Sequence, residues 1–139
     1  DLAYLIIDMP PGTGDVALTV MQSIPISGMV MVSTPQELVS MIVAKAVNMA
    51  KTMNVPVIGI IENMSYIKCP DCGKKIRIFD GDNLQDYFDR LDLELLGELP
   101  MTQEIADVSQ GKFEVFDDDV KASLDQITKK IVAFAKKRV

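Results

Sequence analysis

Residues 3–15 read Ala-Tyr-Leu-Ile-Ile-Asp-Met-Pro-Pro-Gly-Thr-Gly-Asp, or AYLIIDMPPGTGD. Ala3 to Ile7 is an unbroken apolar run, Asp8 closes it, and a stiff turn with two prolines and two glycines follows. An apolar run without alternation is the pattern of a parallel strand covered on both faces. A carboxylate at such a strand end can hold Mg²⁺ directly or through water, and Gly12 lets backbone N–H groups approach a phosphate. The same residues also allow a plainer reading, in which Asp8 caps a turn and the Pro/Gly run is a connector.

Working outward, apolar and amphipathic segments alternate along the chain. Gly28–Ser33 (GMVMVS), Val55–Ile61 (VPVIGII) and Leu93–Leu99 read as further buried strands. Asp15 N-caps a short helix over Val16–Ser23, which Pro25 stops. Thr34-Pro-Gln-Glu37 forms a capping box for a helix to about Met53, with Val39, Ile42, Ala46, Met49 and Met53 on one face. Asp82 and Gln85 cap a short helix with Leu84, Tyr87, Phe88 and Leu91 turned inward. Thr102 starts another that Gly111 ends. From about Asp118 a last helix carries Val120, Leu124, Ile127, Ile131 and Phe134 on one stripe, with Lys136, Lys137 and Arg138 in its last turn, where cations suit the helix dipole. This order predicts an α/β fold with a doubly wound parallel sheet in a single domain over residues 1–139, interrupted by an insert at about 65–80. Ligands of such sheets bind at the carboxyl ends of strands, where Asp8, Thr34, Asn63 and Pro100 all fall.

The chain has 139 residues, an apolar fraction of 48% and a formal net charge of −6. Its mean hydropathy is +0.19. Acid is concentrated between Asp80 and Asp119, where 13 acidic residues face only Arg90 and Lys112. That balance argues against nucleic acid as the main partner and reads as a solvated face or an acidic docking surface. No apolar run approaches the roughly 18 residues of a transmembrane helix, and no signal peptide opens the chain, so a cytoplasmic location is expected. The chain starts without Met at the edge of a strand, as an excised piece of a longer protein would. With no histidine, neither a Ser-His nor a Cys-His pair can form.

The two cysteines are Cys69 and Cys72, in Cys69-Pro-Asp-Cys72-Gly. C-x-x-C followed by Gly makes a tight knuckle that aims two thiolates at one metal. Two sulfurs do not complete a tetrahedral site. Either the other ligands come from another chain, or the pair is redox-active, or the site is vestigial. A two-fold dimer would bring four sulfurs together. Lys68, Lys74, Lys75 and Arg77 nearby favour thiolates. Glu62-Asn63-Met64 ends the third strand. The Asn63 amide, with both donor and acceptor, suits a nucleobase edge or the closing of its own turn.

DMPPGTGD, ALTVMQSIPISGMVMVSTPQE, VPVIGIIENMSYIKCPDCGKK and LLGELPM, in this order, closely resemble the Mrp/ApbC-type P-loop ATPases. These are iron–sulfur cluster carriers related to MinD and the nitrogenase iron protein. The resemblance covers about Asp1 to Phe116. It implies a P-loop NTPase sheet of the SIMIBI type, incomplete here, with the cysteine knuckle as its insert. It further implies ATP with Mg²⁺ as the nucleotide. Asp8 would be the switch acid near Mg²⁺ and the attacking water, Gly12 would lie at the γ-phosphate, Asn63 would contact adenine, and Pro100 with Met101 would border the base. Cys69 and Cys72 would hold a 4Fe-4S cluster bridging a homodimer, for transfer to apo iron–sulfur proteins, with Zn²⁺ as a substitute on the same thiolates. The family's P-loop, Gly-Lys-Gly-Gly-x-Gly-Lys-Ser/Thr, does not occur in these residues. Its strand would lie beside the Asp8 strand, so a gap in the sheet and no ATP hydrolysis by these residues alone are expected. Two other classes compete. One is a non-enzymatic dimeric zinc knuckle. The other is a MinD-like partitioning ATPase at membranes, which the acids Asp117–Asp119 and Asp125 of the last helix make a poor fit.

Overall fold

In the computed structural model, the described residues are 3–35, 37–77, 82–102 and 117–137, with the side chains of 37–40 and 82–85 left aside. Four strands form the sheet: β1 (Met29–Ser33), β2 (Val57–Lys68), β3 (Lys75–Ile76) and β4 (Leu95–Pro100). Among the described residues four helices accompany them: α1 (Asp15–Ser23), α2 (Glu37–Thr52), α3 (Asp82–Arg90) and α4 (Asp118–Lys136). β2 is central, with β1 and β4 parallel to it on either side. β3 runs antiparallel to the far end of β2. The sheet is therefore mixed, and the expectation of a purely parallel one is corrected. The antiparallel pair arises because β2 runs on through Lys68 instead of ending at Ile61, and the chain then turns back on itself.

The core follows from the apolar spacing of the helices. Val43 and Val47 of α2 and Phe88 of α3 pack with Met31, Ile60 and Leu93. Met21 of α1 packs with Ala50 and Val55. α4 lies against β4, where Ile127 sits over Gly97 so closely that a Cβ there would meet its side chain. Lys130 of α4 reaches the Leu95 carbonyl at 2.9 Å and the Glu94 carboxylate at 2.9 Å. Gly59 marks the tightest approach in the sheet. A Cβ at Gly59 would collide with the Glu94 carbonyl, the same oxygen that accepts the Ile60 N–H.

The largest departure from expectation is the first stretch. Ala3–Asp8 forms no strand and is exposed: Leu5 is 71% and Ile6 91% accessible. An apolar run becomes a strand only where a neighbour supplies hydrogen bonds and a layer covers it. Among the described residues β1 pairs with β2 alone, and no strand takes Ala3–Ile7 as partner. Val32, on the same edge strand, is 63% exposed. Smaller differences concern helix starts. Gly14 rather than Asp15 holds the N-cap position of α1, and Asp15 lies in the first turn, where a carboxylate also suits the dipole. α2 begins at Glu37, with Thr34 before it in extended loop. The expected Thr102–Gly111 helix lies, apart from Thr102, outside the described residues.

Candidate functional site

The Glu62-Asn63-Met64 motif is a bulge inside β2, not the end of a strand. Glu62 pairs with Glu98 and Tyr66 with Pro100, so residues 63–65 stand opposite Leu99 alone. Bulges bend a strand and aim its side chains away from the ladder. Met64 takes a left-handed backbone, with φ of 54°. Asn63 Oδ1 accepts the Met64 N–H at 3.0 Å and closes this turn. The Asn63 amide keeps its two N–H donors and the second lone pair of Oδ1 for other partners. Met101 N–H donates to the Tyr66 carbonyl at 2.8 Å. Pro100 is buried and Met101 exposed. Asn63 thus lies in the bulge of β2, level with the carboxyl end of β4, where Pro100 is the last strand residue and Met101 follows.

Beneath the bulge lies a polar cluster that the sequence did not announce. Ser65 Oγ is 2.9 Å from Glu62 Oε2 and 3.2 Å from Glu98 Oε1. Arg77 Nη2 donates to Glu98 Oε1 at 2.7 Å, and Nη1 stands 4.0 Å from Glu62 Oε2. Burial, reinforced by the Glu98 charge and a hydrogen bond shared with Glu98, pushes the Glu62 carboxyl above the usual range, although the Ser65 bond works the other way. Burial also opposes ionisation of Glu98. The Arg77 hydrogen bond and charge, with the Ser65 and Glu62 bonds, outweigh it and hold Glu98 below the usual range. The two carboxyls are thus pushed in opposite directions, and Ser65 has a single proton to share between them. Every buried side-chain N or O among the described residues has a hydrogen-bond partner. The only sequence signal for this cluster was an acid at the end of each of two apolar runs, Glu62 and Glu98.

The cysteines sit in the turn between β2 and β3. Ile67 pairs with Ile76 and Lys68 with Lys75. Cys69 N–H donates to the Lys74 carbonyl at 2.9 Å and Gly73 N–H to the Cys69 carbonyl at 2.9 Å. Both thiols are free, Cys69 half-buried and Cys72 exposed. Hydrogen bonds from the Cys72 backbone, then from the Asp71 backbone and the Cys72 side chain, lower the Cys69 pKa and favour its thiolate. Two thiols are the donor chemistry of a soft metal. Among the described residues no group of three or more His, Cys, Asp or Glu gathers to hold a metal. Lys68 Nζ reaches the start of α4, 2.7 Å from Asp117 and 2.6 Å from Asp119. Those bonds, that to Asp117 first, raise the Lys68 pKa, and Lys68 in turn lowers that of Asp117.

Asp8 and Gly12 are exposed and lie outside the sheet. Gly12 has φ of 92°, and no atom lies within 4 Å of where its Cβ would be. Among the described residues no sheet pairing ties either to the rim that carries Asn63 and Pro100.

A central parallel sheet with a polar rim at its carboxyl ends, flanked by helices, is the architecture of a P-loop NTPase-like α/β protein. The family model for the NUBPL iron-transfer P-loop NTPases (ParA) matches residues 1–135. The chain belongs to this family. It is 51% identical over 117 residues to the iron–sulfur cluster carrier protein of Clostridium perfringens, covering 84% of this chain and 41% of that protein. It is 46% identical over 128 residues to the iron–sulfur cluster transfer protein NUBPL of Mus musculus, covering 88% and 40%. The structure matches that of a nucleotide-binding protein from Archaeoglobus fulgidus in complex with ADP, with cobalt found, at a TM-score of 0.72 and 41% identity, over 85% of this chain and 49% of that one. The chain thus spans less than half the length of these relatives. Among the described residues no helix is long and apolar enough to cross a membrane.

Proposed function

We propose that this chain is the cluster-holding part of an ATP-dependent iron–sulfur carrier, with the cluster as cargo passed on to apo-proteins. The observation that carries the reading is the pair of free thiols on a two-strand turn at the rim, with Cys69 biased toward thiolate. Cys69 and Cys72 from two protomers together supply the four sulfurs of a 4Fe-4S cluster. An exposed Cys72 beside a half-buried Cys69 suits a labile cluster better than a fully buried pair would, because solvent and an acceptor can both reach it.

The nucleotide side of the reading rests on family membership and on the rim. Asn63 offers its amide to adenine, with Pro100 and Met101 as apolar border. Asp8 lies near Mg²⁺ and the attacking water and Gly12 at the γ-phosphate, where open backbone N–H groups can follow the phosphate. Mg²⁺ would supply charge neutralisation on the phosphates. The phosphate cradle of the family has no counterpart in residues 1–139, so we assign ATP hydrolysis to the whole protein and expect these residues alone to bind ATP weakly. The partners that follow are a second copy of the chain and acceptor apo-proteins.

Anaerobic reconstitution with iron and sulfide tests the cluster reading. Iron retained by the protein should be lost in Cys69→Ala and in Cys72→Ala. Undiminished iron in the doubly substituted protein would sink it. Zinc without any capacity for iron would instead make the pair a structural zinc site.

A further inference from the structure

The turn that carries the cysteines is held by a ladder of only two residue pairs, Ile67 with Ile76 and Lys68 with Lys75. Two-stranded pairing of that length is marginal alone. Side chains therefore fix its direction. Lys68 reaches Asp117 and Asp119 at the start of α4. Lys75 Nζ lies 4.4 Å from the centre of the Tyr66 ring. Arg77, just past β3, reaches back to Glu98 on β4 and faces Glu62 on β2. Glu62 and Ser65 bracket Asn63 and Met64, and their side chains are bonded to each other across the bulge. Arg77 thus grips the base of the bulge, whereas the Lys68 contacts lead to a helix end.

We propose that Arg77 is the positioning residue that couples the cysteine turn to the Asn63 bulge: its guanidinium, bridging the Glu62–Ser65–Glu98 cluster, makes the two move as one unit. The proposal deepens the carrier reading, because it supplies a mechanical link between the cargo site and the rim assigned to nucleotide. Guanidinium chemistry suits the task. A planar fork holds its donors in fixed directions toward carboxylates on two strands, whereas a lysine offers one freely rotating ammonium. In this cluster Arg77 contacts Glu98 of β4 and Glu62 of β2, and Ser65 joins those two carboxylates.

Amide hydrogen exchange on the metal-free and nucleotide-free protein tests this without invoking the cluster. The probes are Cys69 N–H in the turn, Met101 N–H bonded across the bulge to Tyr66, and Ile60 N–H in the central sheet as control. In Arg77→Ala, Cys69 and Met101 should both exchange about tenfold faster, while Ile60 is unchanged. Glu98→Gln should speed the same two probes, and the double variant should be no faster than Arg77→Ala, as partners in one interaction require. Arg77→Lys should fall between wild type and Arg77→Ala. Faster exchange at Cys69 with Met101 unmoved, or simple additivity of the two substitutions, overturns the coupling. Should Arg77→Ala unfold the protein, seen as faster exchange at Ile60, the paired response of Cys69 and Met101 in Glu98→Gln decides. Failure of iron loading leaves this result intact, so the two proposals fail separately.

Discussion

Ala3–Asp8 and Val57–Glu62 are close in composition and opposite in fate. Each is an apolar run ending in two isoleucines and an acid, AYLIID in one and VIGIIE in the other. Ile60 is fully buried at the centre of the sheet, while Ile6 is 91% exposed. The difference is not propensity but neighbours. Val57–Glu62 has a parallel strand on each side and the α2–α3 core beneath it. Ala3–Ile7 has no strand partner among the described residues. Burial of one such side chain contributes about 1.5–3 kcal/mol, and the first stretch leaves most of that unrealised. The acids diverge in the same way. Glu62 is pushed toward its neutral form inside a bonded cluster, whereas Asp8 faces solvent.

Substitutions at matched positions should break this symmetry. Ile60→Ala should cost about 4 kcal/mol, as cavity creation in a packed core does, read from urea unfolding. A loss below about 1 kcal/mol would mean that the centre of the sheet is looser than described. Next comes Gly59→Ala in the same strand. The added methyl collides with the Glu94 carbonyl, which cannot swing aside as a side chain would. A cost on the order of 3 kcal/mol is expected, and thermal unfolding indistinguishable from wild type would contradict that close approach.

A subtler contrast lies in pH. The folded-state pKa of Glu62 is raised above its ordinary 4.5, so the folded protein binds that proton more tightly than the unfolded chain. Its contribution to stability is complete below pH 4.5 and is lost as pH rises through the folded pKa. Glu98, held low, acts in the opposite sense, and its contribution fades as pH falls through its own folded pKa. Wild type should therefore lose stability relative to Glu62→Gln as pH climbs from 4.5, in paired denaturant titrations across that range. A constant difference would show that Glu62 titrates normally. The smallest effect belongs to the bare stretch. Ile6→Lys should change stability by less than about 0.5 kcal/mol and reduce self-association at high concentration, measured by light scattering. A loss near that of Ile60→Ala would place Ile6 in a packed site.

The matched pair also explains what the sequence could and could not reveal. Apolar runs and helical stripes located β1, β4, α1, α3 and α4 to within about two residues, because those signals are local. Pairing is not local. AYLII reads as a buried strand by composition, but only a neighbouring strand makes it one. The ENM motif reads as the end of a strand, whereas it lies in a bulge inside β2. The bulge that puts it there depends on Glu98 and Pro100, more than thirty residues away, and no periodicity signals it. Cys69 and Cys72 were legible as a pair because C-x-x-C is short and its geometry local. Arg77 read only as one of several cations near the thiols. Its partners became visible when β2 and β4 were seen side by side.

The central claim is that two copies of the cysteine turn share one cluster. Native mass spectrometry of the anaerobically reconstituted protein tests it most directly. The account predicts that iron and sulfide appear only on a dimer, as one 4Fe-4S cluster per two chains, and that Cys69→Ala returns the protein to an iron-free monomer. A cluster carried by a single chain, or a dimer that keeps its iron without Cys69, would contradict it.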